Sequence, residues 1–481
     1  MLSWDDIATL SPELFLAVAG MALLLKGAFC GQKAAKMIGW AAVGCFLIAA
    51  VLLGRLDWTH GPVMNGMFTL DRFGGFMAML SLLIMAANVT LAIRSLEQDR
   101  LISTEYFVLN VFAALGIIMM ISASNMLSLY LSLELQSLSI YVLAAIRKNN
   151  TQSSEAGLKY FILGALASGM LLFGISLVYG FSGSIDFAGI DAAMRASATH
   201  TMPMIVGLVF ILAGIAFKVS AVPFHMWTPD VYVGAPTTVT TLMATVPKIG
   251  AIAMMMRMLF GPFGSIVNEW QQIVWFLSAA SMIWSSFAAL NQTNIKRLMA
   301  YSSIGNMGYA LVGIAAATKD GAGSVLIYMA IYVVMTMGVF AVIQSMRRDG
   351  LAVENISDLA GLSRTRPGRA YAMAILMFSL SGVPPMAGFF GKLVVFQAAT
   401  GAGLYWLAVI GVVMSVVATY YYLKIVKVMF FDEAAPAFDA TRSVGNRIVL
   451  AVSVALVLLF VISPNALVES GRASAAVLFH E

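Results

Sequence analysis

The sequence predicts an all-α polytopic membrane protein with about 14 transmembrane helices. Two inverted five-helix repeats are expected within it, each containing a broken helix. Three observations lead there. Of the 481 residues, 60% are hydrophobic and only 11% charged, whereas a soluble domain carries about 25% charged residues. The apolar residues gather in runs of about 20, the length that crosses a bilayer as a helix. Two of those runs are interrupted by proline in corresponding places, the pattern of paired discontinuous helices in an inverted repeat.

The runs lie near 10–29, 37–55, 74–94, 105–122, 125–146, 156–181, 202–223, 235–259, 271–290, 298–317, 322–346, 370–399, 403–430 and 446–464. The opening MLSWDDIATL has acids where a signal peptide would be basic, so the first run is expected to be a retained span. Divisions near Ser122 and Gly401 are the ones hydropathy hardly marks. Residues 1–104 then hold the first three spans, 105–259 the first repeat, 271–430 the second, and 446–481 the last span with its tail.

Basic residues set the orientation. With the N-terminus outside, the inside loops hold Lys33, Lys36, Arg94, Arg100, Arg147, Lys148, Lys296, Arg297, Arg347, Arg348, Arg364, Arg366, Arg369, Lys427, Arg442 and Arg447. The outside loops hold only Arg55, Arg72, Arg195, Arg257, Lys319 and Arg472. Both termini are thus expected on the non-cytoplasmic side. The net charge of +5 follows from these topogenic loops and implies no nucleic-acid partner. Cys30 and Cys45 form no CxxC pair, and no Cys/His cluster is present, which argues against zinc, iron–sulfur ligation and a disulfide framework. No dinucleotide fingerprint follows a strand, and strands are not expected.

The first interruption reads FKVSAVPFHMWTPDVYVGAP, with Pro223, Pro229 and Pro236. The second reads FSLSGVPPMAGFFGKL, with Pro384 and Pro385 between Gly382 and Gly388. Proline removes an amide donor and clashes with the preceding turn, so both spans should break. Irregular backbone at membrane depth survives only where protein or water satisfies it. Each interrupted span carries one lysine, Lys218 five residues before Pro223 and Lys392 eight after Pro384.

Glu134, Lys159, Lys218, Lys248 and Lys392 lie far inside apolar runs, and no arginine is read as lying so deep. A charge at the bilayer centre costs about 2.5–3.5 kcal/mol on insertion scales. Burial favours neutral lysine, so a buried lysine can release and regain a proton, whereas arginine cannot. The pattern reads as a proton path. Lys218 is the expected partner of Glu134, whose carboxylate would hold it protonated; a purely structural pairing is the alternative. Lys248, beside Pro247, fits a relay site, and Lys392 a terminal site. Lys159 is either part of the path or an i,i+4 surface partner of Glu155. His225, just past the first break, either passes protons or caps the broken helix.

These motifs resemble the antiporter-like proton-translocating subunits of respiratory complex I, and among them the N type. The likeness rests on FKVSAVPFHMWTPDVYVGAPTTVTTLMATVPKIG, LNQTNIKRLMAYSSIGNMGYALVGI and SLSGVPPMAGFFGKLVVF, and extends over the whole chain. It implies that Glu134 and Lys218 are the charged pair of the first half-channel, Lys248 the central lysine and Lys392 the terminal one. The M type carries glutamate at the terminal position. The L type carries an additional lateral helix, for which a chain ending at Glu481 is expected to have no room. The resemblance also implies that NADH, FMN, iron–sulfur clusters and quinone reside in other subunits, with no cofactor bound by this chain. Expected partners are the other membrane-arm subunits and lipids, in a bacterial inner membrane in preference to a mitochondrial one. A cation/proton antiporter subunit and a membrane-bound hydrogenase subunit share the fold and the buried lysines. A solute carrier is disfavoured, because the charged residues spread along several helices instead of converging on one pocket.

Overall fold

A computed structural model describes residues 4–196, 201–440 and 443–479; His200, Arg442 and His480 lie outside them. A short helix α1 (Trp4–Thr9) precedes α2 (Ser11–Cys30), α3 (Ala35–Arg55) and α4 (Arg72–Gln98). Then follow α5 (Thr104–Ser122), α6 (Met126–Ala144), α7 (Thr151–Ser182) and the surface helix α8 (Phe187–Ala196). The first interrupted region comprises α9 (Thr201–Val219), α10 (Trp227–Gly234), α11 (Thr237–Ala244) and α12 (Val246–Phe260). Three long helices follow, α13 (Val267–Ala289), α14 (Ile295–Ala315) and α15 (Lys319–Ile343). The second interrupted region has α16 (Leu362–Thr365), α17 (Pro367–Ser381) and α18 (Ala387–Gly401). The chain closes with α19 (Tyr405–Phe431), α20 (Val444–Ile462) and α21 (Asn465–Ala476).

Helix thus occupies every run read as a span. By length and apolar composition, 11 segments among the described residues qualify to cross a membrane, one of them Ser11–Arg55 with two helices. Absent from that group are α14, which carries Lys296, Arg297, Ser302, Ser303 and Asn306, and the two 15-residue halves α17 and α18. Polar caps start the helices. Asp71, Ser103, Asn125, Asn150, Asn294, Thr318 and Ser443 each accept a hydrogen bond from an amide of the first turn. Such a cap stabilises a helix by about 1 kcal/mol. Every residue of α12 is buried, as is nearly all of α15. These two form the centre of the bundle, while α7, α19 and α20 present apolar side chains outward.

Four expectations need correction. Two small antiparallel hairpins exist, β1 (Thr59–Val63) with β2 (Phe68–Asp71) and β3 (Arg347–Arg348) with β4 (Leu351–Ala352). The first turns through Met64, Asn65 and Gly66, all with positive φ, and Asn-Gly is a strong hairpin signal that the apolar context masks. The run 235–259 is two helices, because the backbone at Thr245 leaves helical geometry (φ −121°, ψ −86°) just before Pro247. Arg257 and Lys296, read as loop residues, are buried. Arg257 makes two hydrogen bonds to Asp71, of 2.7 and 2.9 Å, and a third from Nε to the Ile121 carbonyl (2.9 Å). That pair fastens the start of α4 to α12.

Removing one member of a buried ion pair leaves the other charge uncompensated, a loss of about 3–5 kcal/mol. Asp71→Ala should therefore destabilise the protein by about 3 kcal/mol, since it also removes the cap of α4. The change would be read as a lower melting temperature of the purified assembly. The double variant with Arg257→Ala should lose less than the two single losses combined; strict additivity would show that the pair carries no coupling.

Candidate functional site

The two interrupted regions end their first halves in the same way. Helix α9 stops at Ser220 (φ 65°) and α17 at Gly382 (φ 83°), both left-handed. In each, two amides fold back onto the last turn: Ser220 N to Phe217 O (3.1 Å) and Ala221 N to Ala216 O (2.8 Å), Gly382 N to Ser379 O (3.0 Å) and Val383 N to Phe378 O (3.1 Å). This is a Schellman closure, in which the left-handed residue turns the chain away from the helix axis. The final carbonyls of each half-helix are left without amide partners.

A lysine ammonium occupies each of these carbonyl pairs. Lys248 Nζ donates to Val219 O (2.9 Å), to Lys218 O (3.4 Å) and, closely, to Ser220 Oγ. Lys392 Nζ donates to Leu380 O (3.0 Å), Ser381 O (3.0 Å) and Ser415 Oγ (2.8 Å). The acceptors are the two carbonyls directly preceding the left-handed residue in both cases. An aromatic ring lies beneath each ammonium, Trp227 at 5.4 Å and Tyr309 at 4.8 Å. Lys248 is 1% exposed and Lys392 5%, so desolvation is severe, and among the described residues no carboxylate pairs with either ammonium. Gly382 serves the second site twice, by adopting positive φ and by leaving room: a Cβ there would stand 3.1 Å from Lys392 Cδ.

Lys218 is buried and donates to Ser137 Oγ (2.7 Å) and Tyr141 OH (2.9 Å), both on α6. Glu134, on the same helix, is half-buried and takes a close hydrogen bond from Ser168 on α7. The direct Glu134–Lys218 contact expected from sequence is absent among the described residues. Hydroxyl groups solvate Lys218 instead, and the carboxylate acts on it only through its field. Lys159 is not buried. Its side chain is 42% exposed and paired with Glu155 (2.7 Å) and Asp230 (3.0 Å), so the surface-pair alternative describes it. His225 lies in the turn between α9 and α10, edge-on to Trp284, and its carbonyl accepts from Thr228 N. No hydrogen bond joins it to the lysines among the described residues.

Between Lys248 and Lys392 the core is polar, which the sequence reading missed. Tyr332 OH donates to Ala244 O (3.0 Å) and shares a hydrogen bond with Ser303 Oγ (3.0 Å). On the preceding residue of α14, Ser302 Oγ meets Tyr422 OH (2.6 Å), and further along the helix Asn306 Oδ1 accepts from Tyr328 OH (2.7 Å). Tyr309 completes the row beneath Lys392. The signal lay in YSSIGNMGY, where Ser302, Asn306 and Tyr309 fall at helical spacing on one face. A fourth buried lysine, Lys296, donates to Val233 O (2.8 Å), Ala235 O (2.9 Å) and Glu354 Oε1 (2.9 Å). Its loop-like flanks concealed it. Among the described residues no group of three or more His, Cys, Asp or Glu is placed to hold a metal.

The family described as "NADH:quinone oxidoreductase/Mrp antiporter, TM" matches residues 123–418. The NADH-quinone oxidoreductase subunit N of Paramagnetospirillum magneticum is 51% identical over 483 residues, covering 100% of this chain and 99% of that one. Subunit N 1 of Rhizobium meliloti is 52% identical over 97% of both chains. Among solved structures, a chain of respiratory complex I from Thermus thermophilus with bound aureothin is 31% identical, with a TM-score of 0.81 over 95% of this chain and 98% of that one. A chain of the Mrp complex from a Dietzia species reaches a TM-score of 0.85 over 98% of both at 21% identity, a likeness of fold alone. The chain belongs to the NADH:quinone oxidoreductase/Mrp antiporter family of transmembrane proteins, in the branch of the relatives named subunit N.

Proposed function

We propose that this chain is a proton-translocating membrane-arm subunit of a bacterial NADH:quinone oxidoreductase, and that Lys218, Lys248 and Lys392 carry the proton. The observation supporting it most directly is the pair of ammonium sites on matching carbonyls, with no carboxylate paired to either among the described residues and with buried hydroxyl and amide groups lying between them. The subunit works within a hetero-oligomer of other membrane-arm subunits, which couple it to electron transfer. NADH oxidation and quinone reduction take place in other subunits of the complex, and we assign no cofactor to this chain.

The carbonyls and hydroxyls accept hydrogen bonds from an ammonium, and the hydroxyls can also donate to a neutral amine. Each site therefore tolerates both protonation states, at a cost set by desolvation against dipole attraction. Moving one charge against 100 mV takes about 2.3 kcal/mol, within the reach of a lysine shifted by a few pKa units at about 1.36 kcal/mol each. Glu134 biases Lys218 through space. A proton leaving Lys218 passes to Lys248, whose ammonium already touches the Lys218 carbonyl, and then along Ser303, Ser302, Asn306 and Tyr309 to Lys392. The like-built breaks support a division into two repeats at about 105–259 and 271–430. The excess of basic residues in the loops on one side supports a topology with both termini on the periplasmic side of the inner membrane.

Lys392→Leu should lose most NADH-driven proton uptake in inverted vesicles, about 100-fold if proton transfer there becomes limiting. Lys392→Glu should keep part of it, because a carboxyl group also titrates. Equal uptake by the leucine variant and the parent would remove Lys392 from the path.

Tyr332→Phe deletes one hydroxyl and leaves the ring. Proton uptake should fall about tenfold or more while the complex assembles normally. An unchanged rate would mean that protons cross between the two lysines without Tyr332.

A further inference from the structure

The two halves of the second broken helix are joined by more than Lys392. Gly388 N, in the first turn of α18, donates to Ser379 Oγ on α17 (3.0 Å), and Ser379 Oγ donates in turn to Met335 Sδ on α15 (2.9 Å). Ser379 is fully buried. Met386, at the cap position of α18, makes no side-chain cap. A hydroxyl from the other half therefore takes an amide that the start of a helix leaves without an internal partner. A Cβ on Gly388 would overlap the Ser379 carbonyl oxygen, so glycine is what lets the halves approach this closely.

The first break carries a link at the corresponding position. Ser379 stands three residues before the left-handed Gly382, and Phe217 three before the left-handed Ser220. Trp227, which begins α10, donates from Nε1 to Phe217 O (3.0 Å), and Thr228 Oγ1 beside it donates to Ser220 Oγ (2.8 Å). In both breaks the start of the second half thus bonds the residue three before the turn, without using the lysine.

Lys392 lies four residues after Gly388, on the same face of α18, and its acceptors Leu380 O and Ser381 O directly follow Ser379. A charged donor bonds a carbonyl more strongly than a neutral one. The lysine's hold on α17 therefore weakens each time it releases its proton, whereas the Gly388–Ser379 bond, between uncharged groups, persists. We propose that Ser379 is a positioning residue for Lys392, fixing α18 against α17 so that the two carbonyls stay assembled while the lysine is neutral. The next proton then arrives at a site already built. The inference rests on the reading of Lys392 as a titrating site.

Among the described residues, the helices packed around Lys392 bring only phenols to it as titratable groups. These are Tyr309 on α14, Tyr328 on α15, and Tyr421 and Tyr422 on α19. Phenols titrate at about 10. The charged residues of α14, α15, α17, α19 and α20 stand near the ends of those helices.

The test uses inverted vesicles carrying the whole complex and measures NADH-driven proton uptake, per NADH oxidised, across a range of pH. Ser379→Ala removes one buried oxygen. The ammonium must then draw the carbonyls together by itself, so loading the site needs a lower pH. The alkaline limb of the uptake profile should move down by about one pH unit, a loss of up to about tenfold on that limb, with uptake near the parental value at the acid end. A parental profile, or an equal loss at every pH, would overturn the positioning role. Lys392→Leu separates the two readings: its loss of uptake beside a parental Ser379→Ala profile defeats the positioning role alone, whereas its normal uptake defeats the titrating site as well. Independently of any variant, an experimental density map should show Gly388 N within hydrogen-bonding distance of Ser379 Oγ, and halves parted at that point would contradict the inference.

Discussion

Three buried ammonium groups, those of Lys248, Lys296 and Lys392, each rest on two backbone carbonyls at the end of a helix segment. A helix end concentrates unpaired carbonyls, and the macrodipole makes that end negative. A continuous helix would bond those carbonyls internally and leave the lysine without solvation. A broken helix without the lysine would leave carbonyls orphaned in a medium where each costs free energy. Break and lysine thus require one another. The prolines, the left-handed Ser220 and Gly382 and the buried lysines form one structural solution.

The solution is used twice with different connectivity. At the first break the lysine comes from α12, beyond the short segments α10 and α11, whereas at the second it comes from α18, the other half of the same interrupted helix. The aromatic ring beneath it is Trp227 in one site and Tyr309 in the other. Lys218, on α9, is held differently, by two hydroxyls on α6, the helix that also carries Glu134. A shift of α6 would then alter its solvation and its electrostatic bias together.

Much of this was legible in the sequence. The apolar runs located the helices, the two proline interruptions located the breaks, and isolated charges in apolar runs located Glu134, Lys218, Lys248 and Lys392. What stayed hidden depended on distant partners. Arg257 looks like a loop residue until Asp71, 186 positions away, is found against it. Lys159 appears deep because its neighbours are apolar, yet it faces Asp230, 71 residues on, at a partly exposed surface. The polar row from Tyr332 to Tyr309 consists of residues that singly read as ordinary packing, and only the crossing of α11, α14, α15 and α19 assembles them. The Glu134–Lys218 contact was inferred from charge alone, and hydroxyl groups proved sufficient to solvate the lysine.

In the proposed mechanism the ammonium sites work by gaining and losing a proton, not merely by being charged. Lys248→Arg tests it most directly, because guanidinium keeps the positive charge and the ability to bond carbonyls but does not release its proton. The measurement is the number of protons taken up per NADH oxidised by the assembled complex in sealed vesicles. The arginine variant should show a clear drop in that ratio or a collapse of coupled turnover. An unchanged ratio at the parental rate would contradict it.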